Sequence, residues 1–342
     1  MGGDTVNYQR VFEESPKILD FLRNNNNLIE LSQPLWLLII SVLKSLCDNF
    51  IVLQFFHAIV FNLLLFRFIV KTTNKPFAAL LLIYCMSWIT LSFEVMRESL
   101  CVVIYLNSLF YLKARQPIKY FLINIPSLFI HYFSFVVIFL TLVAYYLKRK
   151  FLVYLILAAV ILITVLDVSI INESIIRFSL FLGEDLSDLS LYYLESDNYG
   201  NNNLNIFGVI LNFIVILPSL LILHSLNNHI NKELETKLVA IFILISILSA
   251  KITIFYRFMN YLWIIIIIET VNYLYNYDKN KDIKYYIVLL LTVFLAIRDV
   301  RDLYRPAWNE SIGQVDYDYR YFPYKSIFQD PDPIRESFYR YY

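Results

Sequence analysis

The chain has 342 residues, of which 59% are hydrophobic and only 17% charged, with a formal net charge of +1. A soluble domain of this length carries about one charged residue in four, so a water-soluble globular fold is excluded; the net charge itself says nothing about partners, and no nucleic acid is expected among them. Three cysteines without paired spacing and four scattered histidines leave no disulfide framework, redox motif or metal cluster to expect.

Residues 1–31 are polar and show no signal-peptide pattern. Pro34–Leu46 is apolar but short and carries Lys44, so it reads either as a tilted span or as an amphipathic helix at the interface. Apolar blocks then cover 49–70, 76–93, 95–112, 119–147, 151–171, 204–226, 238–255, 257–277 and 285–298. Most have the length needed to cross a hydrocarbon core of about 30 Å, and none alternates as a barrel strand does. The block 119–147 is long enough for a helical hairpin. Asn124, Pro126, Ser127 and His131 within it suit a broken helix lining a cavity. The sequence therefore predicts an all-α polytopic membrane protein with about ten transmembrane helices. Its expected parts are an N-terminal segment 1–48, a transmembrane bundle 49–298 and a polar tail 299–342.

Lysine and arginine in short loops set the orientation. Lys71 with Lys75, Lys113 with Arg115 and Lys119, Lys148 to Lys150, Lys232 with Lys237, and Lys279 with Lys281 and Lys284 fall on one side if 119–147 crosses twice. That side is cytoplasmic. The opposite side receives the tail and the acidic loop 172–203, which holds Glu173, Glu184, Asp185, Asp188, Glu195 and Asp197 against the single cation Arg177.

Ionisable groups in or beside spans are costly and are functional candidates. Arg97 and Glu98 lie at an external turn, His131 at the middle of the hairpin, and Arg257 in a turn between Tyr256 and Phe258. Two arginines and a histidine on one face can hold a pyrophosphate, because guanidinium presents a fixed fork of donors to phosphate oxygens. Plainer roles stand beside this one. Arg97 can pair with Glu94 or Glu98 or snorkel to the interface, His131 can be an interhelical hydrogen-bonding residue, and Arg257 can be an interface anchor. Lys251 paired with Glu269 reads as structural glue, and His57 on an apolar span reads as structural. The many Tyr and Trp residues form interfacial belts.

Short elements along the chain resemble the EpsG family, which includes Wzy-type O-antigen and exopolysaccharide polymerases. Met96-Arg97-Glu98-Ser99 is similar to the family's Arg-Gln pair opening a helix. The basic turn Lys113-Ala114-Arg115, the helix start Ile118-Lys119-Tyr120-Phe121 and the element Phe129-Ile130-His131 follow in the family's order. Gly2-Gly3-Asp4-Thr5-Val6-Asn7-Tyr8 looks like Gly-x-Asp-x-x-x-Tyr. Gln33-Pro34-Leu35-Trp36 looks like Glu-Pro-x-Phe, and Arg257-Phe258-Met259-Asn260-Tyr261 like Arg-x-x-x-Tyr. Glu98 replaces the family's Gln, and Gln33 replaces its Glu. A transmembrane helix usually precedes the Gly-x-Asp element in the family, whereas this sequence starts at Met1 just before it.

The resemblance implies an arrangement like that of lipid-linked-sugar glycosyltransferases of the GT-C type, with an external first loop carrying interfacial helices. It implies a polysaccharide repeat-unit polymerase, a metal-independent glycosyltransferase without cofactor in the bacterial cytoplasmic membrane, its active site facing the periplasm. Donor and acceptor would be polyprenyl-pyrophosphate-linked oligosaccharides, the lipid bilayer holding their tails, with a chain-length regulator as a further candidate partner. Asp4 and His131 are the candidate bases. Arg97, Arg257, Tyr8, Glu98, Tyr256 and Tyr261 are the candidate substrate-binding residues. A lipid-linked oligosaccharide flippase is the alternative, but it asks for an internal repeat and charges through both leaflets. An acyltransferase would want a histidine base, for which His131 alone is placed.

Overall fold

The computed structural model describes residues 3–23, 33–88, 90–148, 151, 154–156, 158, 173, 177, 206–227, 232–249, 255–277, 283–302, 306–309 and 313–319. They belong to two compact units, one of Met1–Phe135 with Val293–Tyr342 and the other of Val136–Thr292.

The first unit opens with α1 (Gly3–Glu14), α2 (Ile18–Arg23) and α3 (Pro34–Leu46). Proline starts α3, where its missing N–H costs nothing. At 13 residues α3 is about 20 Å long, too short for a core of about 30 Å, and it packs on α1, α2 and α4 instead. This accounts for Lys44 in an apolar helix. Its ammonium donates to the carbonyls of Phe12, Glu13 and Ser15 at 3.0, 2.6 and 2.9 Å. These carbonyls lie at the C-terminal end of α1, where intrahelical bonding runs out and the helix dipole favours a cation. Ser45 accepts from the Ile18 amide at 2.8 Å and so ties α2 to α3.

α4 (Phe50–Thr72) is capped by Asn49, whose side chain accepts from the Ile51 amide at 3.0 Å. Its 23 residues span about 34 Å. Leu53, His57, Phe61, Leu65 and Phe68 are buried against the unit, while Phe55, Leu63 and Val70 are 66%, 65% and 66% exposed on the far side. A helix that is apolar on its outer face needs hydrocarbon there. α5 (Pro76–Ile83) runs into two π-helical turns, Tyr84–Trp88 and Thr90–Glu94. π turns are rare and gather at functional sites.

α6 (Met96–Lys113) is the central helix of this unit, packed on α4 and α7 (Pro117–Ile130). Amides seat it. Asn107 donates to the Leu64 carbonyl of α4 at 2.9 Å, and Asn124 of α7 donates to Ser108 at 2.7 Å. The end of α6 is closed by Gln116 N–H to Tyr111 O at 2.8 Å and Arg115 N–H to Leu112 O at 3.0 Å. This Schellman arrangement usually takes glycine; here Arg115 adopts φ 58°. Pro126 lies inside α7, which stops at Ile130, and α8 (Ser134–Tyr146) follows after a turn. The block 119–147 is thus two helices broken at His131.

In the second unit α9 (Ile206–Leu226), α10 (Glu233–Ser249) and α11 (Phe255–Asn272) pack together, with a π turn Tyr273–Tyr277 after α11. The Ile264 to Ile268 run is buried. α12 (Ile283–Asp302) leaves Leu290, Phe294 and Ile297 exposed. Two strands follow, β1 (Pro306–Asn309) antiparallel to β2 (Gly313–Tyr319), so the tail departs from the all-α expectation.

The chain is a helical membrane protein. Among the described residues two helices are long and apolar enough to cross a bilayer, Phe50–Thr72 and Phe255–Tyr275. Pro34–Leu46, Pro76–Trp88, Pro117–Ile130, Ser134–Tyr146 and Ile216–Leu226 are apolar but shorter. Most of the expected span 151–171 and of the acidic loop 172–203 lies outside the described residues.

Candidate functional site

The site is built around the first turn of α6. Val95 precedes this turn without a side-chain cap, its N–H reaching Thr90 O at 3.2 Å as the π turn ends. Arg97 therefore leaves the helix start toward the N-terminal helices. Its Nη1 donates to Gln33 Oε1 at 2.5 Å, and its guanidinium carbon lies 5.4 Å from the centre of the Tyr8 ring. Tyr8 in turn meets Trp36 edge to face at 5.9 Å. Gln33 sits at the N-cap of α3 but makes no capping bond, so its amide serves Arg97 instead.

The electrostatic consequence is specific to this sequence. A carboxylate at position 33 would neutralise the guanidinium; the neutral Gln33 orients it without doing so. Arg97 has no ion pair among the described residues. The side chain of Glu94, one of its expected partners, lies outside them, and Glu98 is buried.

Trp36 Nε1, Ser92 Oγ and Arg97 Nε are buried atoms without a hydrogen-bond partner among the described residues. Each can donate. Trp36 and Arg97 both flank the Tyr8 ring, and the π turn carrying Ser92 packs on α1 and α6. Donors left open among the described residues, beside a guanidinium with no ion pair among them, suit an oxyanion, since a buried donor without a partner costs about 1–3 kcal/mol.

Asp4 lies in the first turn of α1, one turn before Tyr8, and its side chain is outside the described residues. His131 is buried in the break after α7, its N–H bonded to Ser127 O at 2.9 Å and its carbonyl accepting from Ser134 N–H at 3.0 Å. The ring packs near Tyr132 and Phe133 at 5.9 and 5.6 Å. The structure joins Arg97 to Gln33 and Tyr8, not to His131.

In the second unit Arg257 is half-buried in the first turn of α11, one turn from the buried Tyr261, while Tyr256 is exposed. The expected pair of Lys251 with Glu269 falls partly outside the described residues. Glu269 is held at 3.3 Å by Lys232, which also lies 3.7 Å from Glu235. Lys237 pairs with Glu233 at 3.0 Å and donates to Tyr145 O at 2.7 Å. These lysines, read from sequence as loop charges, are ion-paired at the start of α10, and this lets α10 begin before its apolar run.

Sequence reasoning missed the role of Gln33 as the partner of Arg97. The signal was available in the acceptor left beside Pro34 at a helix start. A family model described as the EpsG family matches residues 1–326. No curated protein and no solved structure matches the chain.

Proposed function

The chain belongs to the EpsG family, and from that premise we propose that it is a polysaccharide repeat-unit polymerase acting on polyprenyl-pyrophosphate-linked oligosaccharides. The observation that carries this reading is the meeting of Tyr8, Gln33, Trp36 and Arg97, which come from three sequence elements far apart in the chain.

In the proposed reaction an acceptor sugar hydroxyl attacks the anomeric carbon of the donor. The new glycosidic C–O bond forms as the bond between the anomeric carbon and the pyrophosphate oxygen breaks, and the pyrophosphate leaves with the electron pair. Negative charge grows on the leaving oxygen in the transition state, and fixed donors aimed there lower the barrier most. Arg97, oriented by Gln33 and supported by Tyr8, is assigned that task. The hydroxyl proton passes to a base. Asp4, on the same helix as Tyr8, and His131, at the break after α7, are the two candidates. Arg257 with Tyr256 and Tyr261 is assigned to substrate binding in the second unit, and Glu98 to the support of the α6 turn. The apolar outer face of α4 suits a protein that draws both substrates from the bilayer. The reaction is assigned to the periplasmic face of the bacterial cytoplasmic membrane.

The test is reconstitution. Purified protein in proteoliposomes is given a lipid-linked repeat unit, and products are resolved by length. Chains of several repeats with release of polyprenyl pyrophosphate are expected. Transfer of unextended lipid-linked repeats between leaflets, without new glycosidic bonds, would overturn the reading in favour of a flippase.

A further inference from the structure

His57 is the one histidine on α4, in a helix whose buried face is otherwise apolar. A polar ring inside a membrane span is costly and calls for a task. Its Nε2 lies 2.7 Å from Ser99 Oγ, and both residues are buried, at 2% and 0% exposure. Ser99 Oγ also lies 2.9 Å from Met96 O, which can only accept. The single hydroxyl proton of Ser99 goes to that carbonyl, so Ser99 accepts from His57 and the ring carries its proton on Nε2.

This geometry bears on the role of the pair. Serine and histidine at this distance form a nucleophile and base in many enzymes. Here the hydroxyl is sealed from substrate, and its proton is committed to the helix backbone. The pair holds something in place.

What it holds is the first turn of α6. That turn has no side-chain cap at Val95. Ser99 pins it from within through Met96 O, and His57 pins Ser99 from α4, its ring stacked on Phe61 at 5.8 Å. Arg97 stands between Met96 and Ser99 and leaves on the side of Gln33 and Tyr8. We infer that His57 and Ser99 are positioning residues for Arg97, fixing the helix turn from which its guanidinium reaches a phosphate-bearing substrate. This rests on the reading of Arg97 as a phosphate-binding group.

The experiment is binding of farnesyl pyrophosphate to the purified full-length protein in nanodiscs. It compares wild type with Arg97→Ala, His57→Phe, His57→Gln and Ser99→Ala, alone and with Arg97→Ala. Phe keeps the stack on Phe61 and loses the N–H; Gln offers an amide N–H in its place. His57→Phe and Ser99→Ala are expected to weaken binding about five- to tenfold, the scale of one buried hydrogen bond, and His57→Gln to recover most of it. In the Arg97→Ala background His57→Phe is expected to cost nothing further. A merely structural role would lower binding equally in both backgrounds, and that result overturns the inference. So does a His57→Phe protein that binds as wild type does. If Arg97→Ala itself binds as tightly as wild type, the phosphate reading fails first and the inference falls with it. Should His57→Phe fail to fold, Ser99→Ala carries the same comparison.

Discussion

Lys44→Met removes one charge and leaves the apolar volume of α3 nearly unchanged. The wild-type ammonium makes three contacts of 3.0, 2.6 and 2.9 Å with carbonyls at the end of α1. A hydrogen bond to a charged donor contributes about 1.5–3 kcal/mol, and three sharing one ammonium add less than their sum. A loss on the order of 3 kcal/mol follows, at first local, because the bonds join α1 to α3 and little else. At about 1.4 kcal/mol per decade, opening of α1 should rise about a hundredfold. Hydrogen exchange of the purified protein in detergent reads this directly. The α1 amides that exchange only by local opening should speed up by about that factor while α6 keeps its protection. Substrate binding should weaken as well, since α1 carries Tyr8. Protection of α1 within twofold of wild type would refute the reasoning. The aromatic contacts of Tyr8 with Trp36 and Phe12 with Phe50 would then hold the helix without the lysine.

Arg97→Lys keeps the charge but loses the fork. It should lower kcat/KM for polymer formation about tenfold to a hundredfold, because one ammonium cannot serve both Gln33 and a phosphate with the same geometry; rates at half of wild type or better would contradict this. Lys232→Ala removes the cation shared by the buried Glu269 and Glu235 and should cost about 3–5 kcal/mol in denaturation, part of it recovered by combining Lys232→Met with Glu269→Met. Asn124→Asp should lower thermal stability by several kcal/mol, since it buries a carboxylate and removes the donor to Ser108. Arg115→Gly should raise stability by about 1 kcal/mol by relieving the positive φ, measured as an upward shift in Tm.

Helix positions were legible where apolar length and punctuation agree. Pro34, Pro76 and Pro117 each start a helix, and α4 and α6 lie within a few residues of their apolar blocks. The break at His131 was legible because Pro126 and polar residues interrupt the block. The change from α to π geometry over Tyr84–Trp88 and Thr90–Glu94 was not, since hydropathy does not distinguish one helical period from another over two turns. The tail strand Gly313–Tyr319 alternates Val315, Tyr317 and Tyr319 with Gln314, Asp316 and Asp318, a period of two masked by its overall polarity. The elements of the site were legible singly. Their meeting was not, because nothing local in Tyr8, Gln33 or Arg97 tells which will touch; that follows from how α1 and α3 dock beside α6. The half-buried Lys232 and the buried Lys237 were legible as charges but not as partners of Glu269 and Glu233, because counting charges in a loop does not show which carboxylates bind them.

The most direct test of the central claim is polymer length in membranes of a strain lacking this protein, complemented at matched expression with wild type or Arg97→Ala. Long chains are expected with wild type. With Arg97→Ala their loss is expected, with single lipid-linked repeats accumulating on the outer face of the cytoplasmic membrane. Long chains made at wild-type levels by Arg97→Ala, or repeats held on the inner face, would contradict the claim.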